Sequence, residues 1–165
     1  MITPIFREYF ESPAGWIEVS ASNDNIISIL FRGQITMGNV QASPLTNLCT
    51  DQLKAYFRGE RKVFDIPVQP VGTPFQIEVW KLVSGVEYAS TITYNEIAFK
   101  LGNPAAVRSV GRANGRNRLL IVIPCHRVIG ADGSLVGYVG ELWRKKWLLE
   151  QEARYSGKGQ RTLGF

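Results

Sequence analysis

The sequence predicts a mixed α/β (α+β) fold in two parts, a small sheet-plus-helix domain followed by a winged-helix-like helix-turn-helix domain. Three observations predict it. Strand-like runs and then one helix occupy the first 66 residues. Two prolines and a glycine fall within Ile66-Pro67-Val68-Gln69-Pro70-Val71-Gly72, which reads as an extended linker. A series of capped helices follows. The expected boundaries are therefore 1–66, a linker at 67–72, and 73–165. A chain of 165 residues suits one ordinary domain or two small ones, and its 45% hydrophobic content is enough to bury a core.

In the first part, Trp16-Ile17-Glu18-Val19-Ser20-Ala21 and Ile26-Ile27-Ser28-Ile29-Leu30-Phe31 flank Asn23-Asp24-Asn25 and predict a hairpin. Ser43-Pro44 offers a capping hydroxyl with proline at the first helical position. Leu45, Leu48, Cys49, Gln52 and Tyr56 then recur at helical spacing, and Gly59 supplies the stop. Cys49 falls in that stripe and reads as a core cysteine.

In the second part, Thr73-Pro74-Phe75-Gln76 and Thr93-Tyr94-Asn95-Glu96 are capping boxes that open two helices. The second runs through Ile97, Ala98 and Leu101 to Gly102. Asn103-Pro104 restarts a helix through Ala105, Ala106, Val107 and Val110. Two short helices joined by Gly-Asn-Pro read as a helix-turn-helix. Its second helix aligns Arg108, Arg112 and Arg116 on one face. Ser109, Gly111 and Ala113 are small enough to allow close approach of a partner. A helical hairpin used only for packing is the alternative reading of this segment. Leu119-Leu120-Ile121-Val122-Ile123 is a continuous apolar run, expected as a buried strand that ends at Pro124. Val128-Ile129 and Leu135-Val136, either side of a Gly-Ala-Asp-Gly turn, suggest a second hairpin. A helix is expected over about Leu142 to Arg154, with apolar bulk from Trp147, Leu148 and Leu149 and charge from Arg144, Lys145 and Lys146.

Charge is segregated. Residues 1–72 carry six Lys/Arg and seven Asp/Glu, whereas residues 73–165 carry thirteen and seven. No acid lies between Glu96 and Asp132, an interval holding Lys100, Arg108, Arg112, Arg116, Arg118 and Arg127. Such a field favours a polyanionic partner, and it is also compatible with a solvated basic surface. The first residues lack a basic segment followed by an apolar run, and no stretch is long enough to span a membrane. The expectation is therefore a cytoplasmic protein without membrane association. Two cysteines and one histidine argue against a disulfide framework and against a zinc site, so no metal and no cofactor are expected.

Cys125 stands next to His126, the only histidine. A thiol becomes nucleophilic as its thiolate, and a neighbouring imidazole can take the proton directly or through a water, with a carboxylate orienting the ring. A cysteine closing a buried strand can also be inert. The nucleophilic reading requires a thiol that is accessible and activated.

Ile123-Pro124-Cys125-His126-Arg127-Val128 resembles the active-site motif of the O6-alkylguanine-DNA alkyltransferases (the methylated-DNA–protein-cysteine methyltransferases). Thr73-Pro74-Phe75-Gln76 with Val79-Trp80, Thr93-Tyr94, Gly102 through Gly111, and Trp147-Leu148-Leu149 with Glu152 resemble further segments of that family. The resemblance covers nearly all of residues 73–165. It implies direct reversal of O6-alkylguanine, and of O4-alkylthymine as a second substrate, by irreversible single-turnover alkyl transfer after base flipping. In that scheme Cys125 accepts the alkyl group, His126 is the base through a water, and Glu152 orients His126. Tyr94 donates a proton or hydrogen bond to the departing base, Asn117 braces the active-site turn, and the backbone at Tyr138 and Val139 contacts O6. Arg108 fills the gap in the base stack, and Ser109, Gly111, Arg112, Ala113 and Asn114 complete the DNA-binding helix. The implied partner is double-stranded DNA containing O6-alkylguanine, engaged by a monomer, with cooperation between neighbouring molecules left open. The chain departs from the family pattern at Arg118, where proline is usual, and at Val139-Gly140-Glu141, where a small residue and two glycines are usual.

Overall fold

A computed structural model describes Thr3 and residues 5–33 and 40–157. The chain divides into two compact units, residues 1–70 and 71–165.

The first unit is a three-stranded antiparallel sheet, β1 (Phe6–Ser12), β2 (Gly15–Ala21) and β3 (Ile26–Arg32), in that spatial order. The predicted hairpin is β2–β3, with Ile17 opposite Phe31 and Val19 opposite Ile29. Strand β1 is an addition to the sequence reading. Charged Arg7, Glu8 and Glu11 are spread over both of its faces and mask the alternation. Helix α1 (Pro44–Phe57) starts at a full capping box, in which Ser43 and Thr46 satisfy each other's backbone N–H groups. It ends before Gly59, whose φ of 75° only glycine adopts without strain. Ile17, Val19, Ile26, Ile29, Cys49, Leu53 and Tyr56 form the core. Each large aliphatic side chain buried there contributes about 1.5–3 kcal/mol. The buried face of α1 runs through Thr46, Cys49, Leu53, Tyr56 and Phe57. Leu48, expected in that stripe, is 44% exposed, because the face turns toward Leu53 and Phe57. The Gln52 amide holds both backbone groups of Asp65, and the Ile26 backbone pairs with Pro67 and Gln69, so the chain leaves this unit in extended form along β3.

The second unit contains α2 (Pro74–Ser84), β4 (Ile92–Thr93), α3 (Tyr94–Lys100), α4 (Val107–Gly115), β5 (Val128–Ile129) and α5 (Leu142–Tyr155). Both predicted capping boxes form, Thr73 with Gln76 and Thr93 with Glu96. Gly72 is required by close approach, since a Cβ there would lie 2.5 Å from Gln76 Oε1 and 2.6 Å from the Trp80 ring. The Trp80 indole donates to the Ala113 carbonyl (2.9 Å) and joins α2 to the end of α4. A 3-10 turn over Pro104–Ala106 intervenes before α4 begins at Val107.

Two expectations are corrected. Leu119, Leu120, Ile121 and Ile123 are buried as predicted and Val122 is half-buried, but these residues form a coiled loop and not a strand. Their backbone bonds are local, Val122 to Leu120 and Ile123 to Leu119, and Ile121 has φ 72°. An apolar run reports burial, whereas a strand also needs a partner edge. Here the Asn117 side chain takes that place, accepting from Leu119 N and donating to the Ile123 carbonyl, both at 2.9 Å. Val128-Ile129 and Leu135-Val136 do not pair as a hairpin. Val128 and Ile129 instead pair in parallel with Ile92 and Thr93, and the Val136 carbonyl is taken by side chains of other elements.

Candidate active site

The loop held by Asn117 delivers Cys125 into a 3-10 turn, Cys125–Arg127, packed on α5. The same Asn117 amide donates to Cys125 Sγ at 3.1 Å. The thiol is 1% exposed. Burial pushes it up to about 11, against the Asn117 hydrogen bond and the Lys145 charge, which favour the thiolate. The sequence reading required an accessible, activated thiol. In this form of the protein the sulfur is instead enclosed and keeps its proton.

Behind it lies a buried ionic group. His126 Nε2 is 2.7 Å from Glu152 Oε1, and the Arg127 guanidinium grips the same carboxylate with Nε at 2.9 Å and a terminal nitrogen at 2.8 Å. The backbone N–H of Ala89 supplies a further bond at 3.1 Å. Burial alone would raise the Glu152 carboxyl, but His126 and Arg127 outweigh it and hold the group well below the usual carboxylate range. Glu152 is therefore an ionised acceptor. Burial, in turn, pushes His126 down and keeps the imidazole neutral, against the pull of Glu152. An ionised carboxylate can only accept, so Nε2 carries the ring proton and Nδ1 presents a lone pair. Nδ1 is buried and has no hydrogen-bond partner among the described residues. The residue next to Cys125 thus has a base lone pair that no donor among the described residues occupies.

Tyr94, the first residue of α3, is buried. Its hydroxyl donates to the Val136 carbonyl (2.8 Å) and accepts from Lys145 Nζ (3.3 Å). Lys145 is 0% exposed, also donates to Val136 (2.8 Å), and is pushed down to about 8 by burial. Tyr138 is buried, and its hydroxyl has no hydrogen-bond partner among the described residues. Val139 is 56% exposed. Glu141 adopts a φ of 77° at the start of α5, and its carboxylate accepts from the Trp143 indole (2.9 Å).

The structure thus brings Cys125, His126, Glu152, Tyr94 and Asn117 into one linked cluster. On α4, Arg108, Ser109 and Arg112 are exposed, and Gly111 lies against the Tyr94 ring. Ala113 and Asn114 are corrections, for both are buried. The Ala113 carbonyl receives Trp80, and Asn114 Nδ2 donates to the Cys125 carbonyl (3.3 Å), because the last turn of α4 points its inner face at the reactive turn. Two residues of the cluster escaped the sequence reading. The motif contains Arg127 but assigns it no role. Lys145 reads only as one of three charged residues of the last helix, although Lys145, Leu148, Leu149 and Glu152 share one helical stripe (i, i+3, i+4, i+7), a signal that places it inside. Among the described residues, no group of three or more His, Cys, Asp or Glu side chains could hold a metal ion, and no helix is long and apolar enough to cross a membrane.

Residues 5–70 match the ribonuclease-like domain, and residues 74–154 the DNA-binding domain, of the 6-O-methylguanine DNA methyltransferase family models. A Methanosarcina acetivorans protein named methylated-DNA–protein-cysteine methyltransferase is 41% identical over 153 residues, spanning 90% of this chain and 98% of that protein. A Mycobacterium tuberculosis protein of the same name is 52% identical over 102 residues, 62% of each chain. The crystal structure of Mycobacterium tuberculosis O6-methylguanine methyltransferase superimposes with a TM-score of 0.82 at 36% identity, covering 98% of this chain and 100% of that one. A crystal structure described as Mycobacterium tuberculosis OGT in complex with DNA gives 0.83 at 38% identity, covering 91% and 94%. With family models matching both units of the chain that holds this cysteine, imidazole and carboxylate, the chain belongs to the 6-O-methylguanine DNA methyltransferase family.

Proposed function

We propose that this protein repairs double-stranded DNA by moving an alkyl group from O6 of guanine to Cys125, irreversibly and once per molecule, with O4-alkylthymine as a second substrate. One observation carries the proposal: an ionised Glu152 fixes the tautomer of His126, the residue next to Cys125, and leaves its Nδ1 without a partner among the described residues, while the Asn117 amide holds the Cys125 sulfur.

The chemistry balances within this chain. The Cys125 proton passes to His126 Nδ1 through an intervening water. The thiolate attacks the alkyl carbon, an S–C bond forms, and the C–O6 bond breaks with its electron pair going to the base. Tyr94 supplies a hydrogen bond or proton to that base, so an anion is not expelled, and the Lys145 ammonium beside the phenol supports the donation. The product thioether has no good leaving group, which makes the reaction single-turnover. An alkyl group on O6 cannot be reached inside a duplex, so the nucleotide must flip out at a cost of a few kcal/mol, about what base-flipping enzymes meet. Arg108, exposed on α4, fills the gap, with Ser109 and Arg112 on the backbone. The enclosed, protonated thiol implies that entry of the base displaces the segment around Val136–Val139 and that ionisation accompanies DNA binding.

The test is intact-protein mass spectrometry after incubation with duplex containing O6-methylguanine. The protein should gain one methyl group, located on Cys125, and Cys125→Ser should gain none. An unmodified wild-type protein in excess substrate would sink the proposal. Arg108→Ala should slow transfer from duplex more than transfer from free O6-benzylguanine, and equal slowing would remove Arg108 from the flipping step.

A further inference from the structure

We propose that Arg127 is a positioning residue for the reaction: its guanidinium, forked onto Glu152, balances the carboxylate so that the adjoining His126 ring stays a neutral proton acceptor. The inference rests on His126 acting as the base, as set out above, and adds the residue that keeps it able to do so.

Charge counting inside the enclosure supports this role. Glu152 and His126 are fully buried, and the Arg127 side chain is 7% exposed. Every nitrogen of the guanidinium is engaged. Nε and one terminal nitrogen meet the two Glu152 oxygens at 2.9 and 2.8 Å, and the other terminal nitrogen donates to the Val86 carbonyl at 2.7 Å. A guanidinium does not give up its charge in a protein. With the ring neutral, the three side chains sum to zero. A proton on His126 Nδ1 would leave a net positive charge in an enclosed space, which is unfavourable. Without Arg127 the count reverses. A neutral ring would then leave the carboxylate unbalanced, and an imidazolium would restore neutrality, as when a histidine meets a carboxylate alone. Such a ring carries hydrogen on both nitrogens and cannot take the Cys125 proton.

The other groups around the ring are consistent with that count. Burial is the largest influence against the imidazolium, Glu152 pulls toward it, and Arg127 and then Lys145 act against it. Lys145, on α5, directs its bonds to Tyr94 and Val136. Tyr138, in the segment before α5, and Tyr88, in the loop after α2, are phenols whose protons burial retains. On α2, Glu78 and Lys81 pair with each other at the surface (3.2 Å), and α4 offers the uncharged amide of Asn114. Arg127 is thus the permanent cation that meets the carboxylate pulling on the ring.

His126 is the only histidine in the chain, so NMR of protein labelled with heavy nitrogen at histidine reads this ring alone. The wild-type ring should be neutral at about pH 7, with its proton on Nε2, and should titrate below the ordinary value of 6.5. In Arg127→Met the ring should be an imidazolium at about pH 7, its proton affinity raised by at least about tenfold. Arg127→Lys keeps the charge and loses the fork, and its ring should stay neutral at that pH. Single-turnover transfer should follow the ring. The ratio of rates at about pH 7.5 and about pH 6 should be about tenfold larger in Arg127→Met than in wild type, matching the change in proton affinity. Arg127→Gln serves if the methionine variant does not fold. A merely structural Arg127 would lower stability and leave the ring of the methionine variant neutral, which overturns the proposal. So does a lysine variant whose ring is protonated like that of the methionine variant, since loss of the fork and not of the charge would then be the cause. A wild-type ring protonated at about pH 7 overturns it with no variant needed. The ring is read in the free protein, so wild-type protein that gains no methyl group refutes the alkyl-transfer reading whichever way the ring titrates.

Discussion

The two cysteines of this chain are both enclosed, yet their surroundings differ in sign. Cys49, on α1, is pushed up to about 12 by burial and by the negative charge of Glu8. Cys125 is pushed up to about 11 by burial, while the Asn117 amide and the Lys145 ammonium act in the opposite direction. Burial separates neither thiol from the other. What separates them is that the polar groups near Cys49 oppose a thiolate, and those near Cys125 are arranged to receive one.

The comparison can be broken most severely at Glu152. Glu152→Gln leaves His126 without a fixed tautomer and strands the buried Arg127 cation. Transfer should fall by at least about a hundredfold in single-turnover assays, as when a catalytic imidazole loses its carboxylate. Denaturant unfolding should show a loss of about 3–5 kcal/mol, typical of one partner removed from a buried pair. Because the folded Glu152 carboxyl is depressed, this stability difference should hold steady above the ordinary value of 4.5 and shrink as the pH falls toward the depressed value. Transfer that survives Glu152→Gln would remove the imidazole from the mechanism.

A smaller effect is expected at Lys145. Lys145→Met should lower transfer at neutral pH by about tenfold, the usual range for loss of one charged hydrogen-bond donor. The lysine is pushed down to about 8, so its cation is present below that pH and lost above it. The wild-type rate should therefore gain less with rising pH beyond about 8 than the rate of the methionine variant. Identical pH profiles would confine Lys145 to packing. The smallest effect sharpens the contrast between the thiols. At neutral pH, where the Lys145 cation is present, Lys145→Met should slow the labelling of Cys125 by a small thiol reagent and leave that of Cys49 unchanged, as read by peptide mass spectrometry. Equal labelling of Cys125 in both proteins would show that the ammonium does not act on the sulfur.

Much of this was legible in the sequence, for identifiable reasons. Capping boxes are local chemistry, so Thr73–Gln76 and Thr93–Glu96 opened helices where expected. The motif placed Cys125 and His126 together, and the resemblance of Trp147-Leu148-Leu149 with Glu152 to the family's closing helix supplied the carboxylate that meets His126. What was hidden depended on distant partners. The run at 119–123 gave burial without conformation, because a side-chain amide, not a strand edge, satisfies its backbone. Asn114 looked like an outward residue of a basic helix until the turn carrying Cys125 was seen to pack against its inner side. Lys145 was obscured by Arg144 and Lys146, its charged neighbours, which stay nearer the surface.

The closed state of Cys125 also bears on the waiting time of a protein proposed to act once. Peroxides and metal-catalysed oxidants attack accessible thiolates, and a protonated sulfur shut away from solvent presents neither the charge nor the access they need. Such a molecule can persist unaltered in an oxidising spell and still hold its single reaction in reserve for the lesion that opens it.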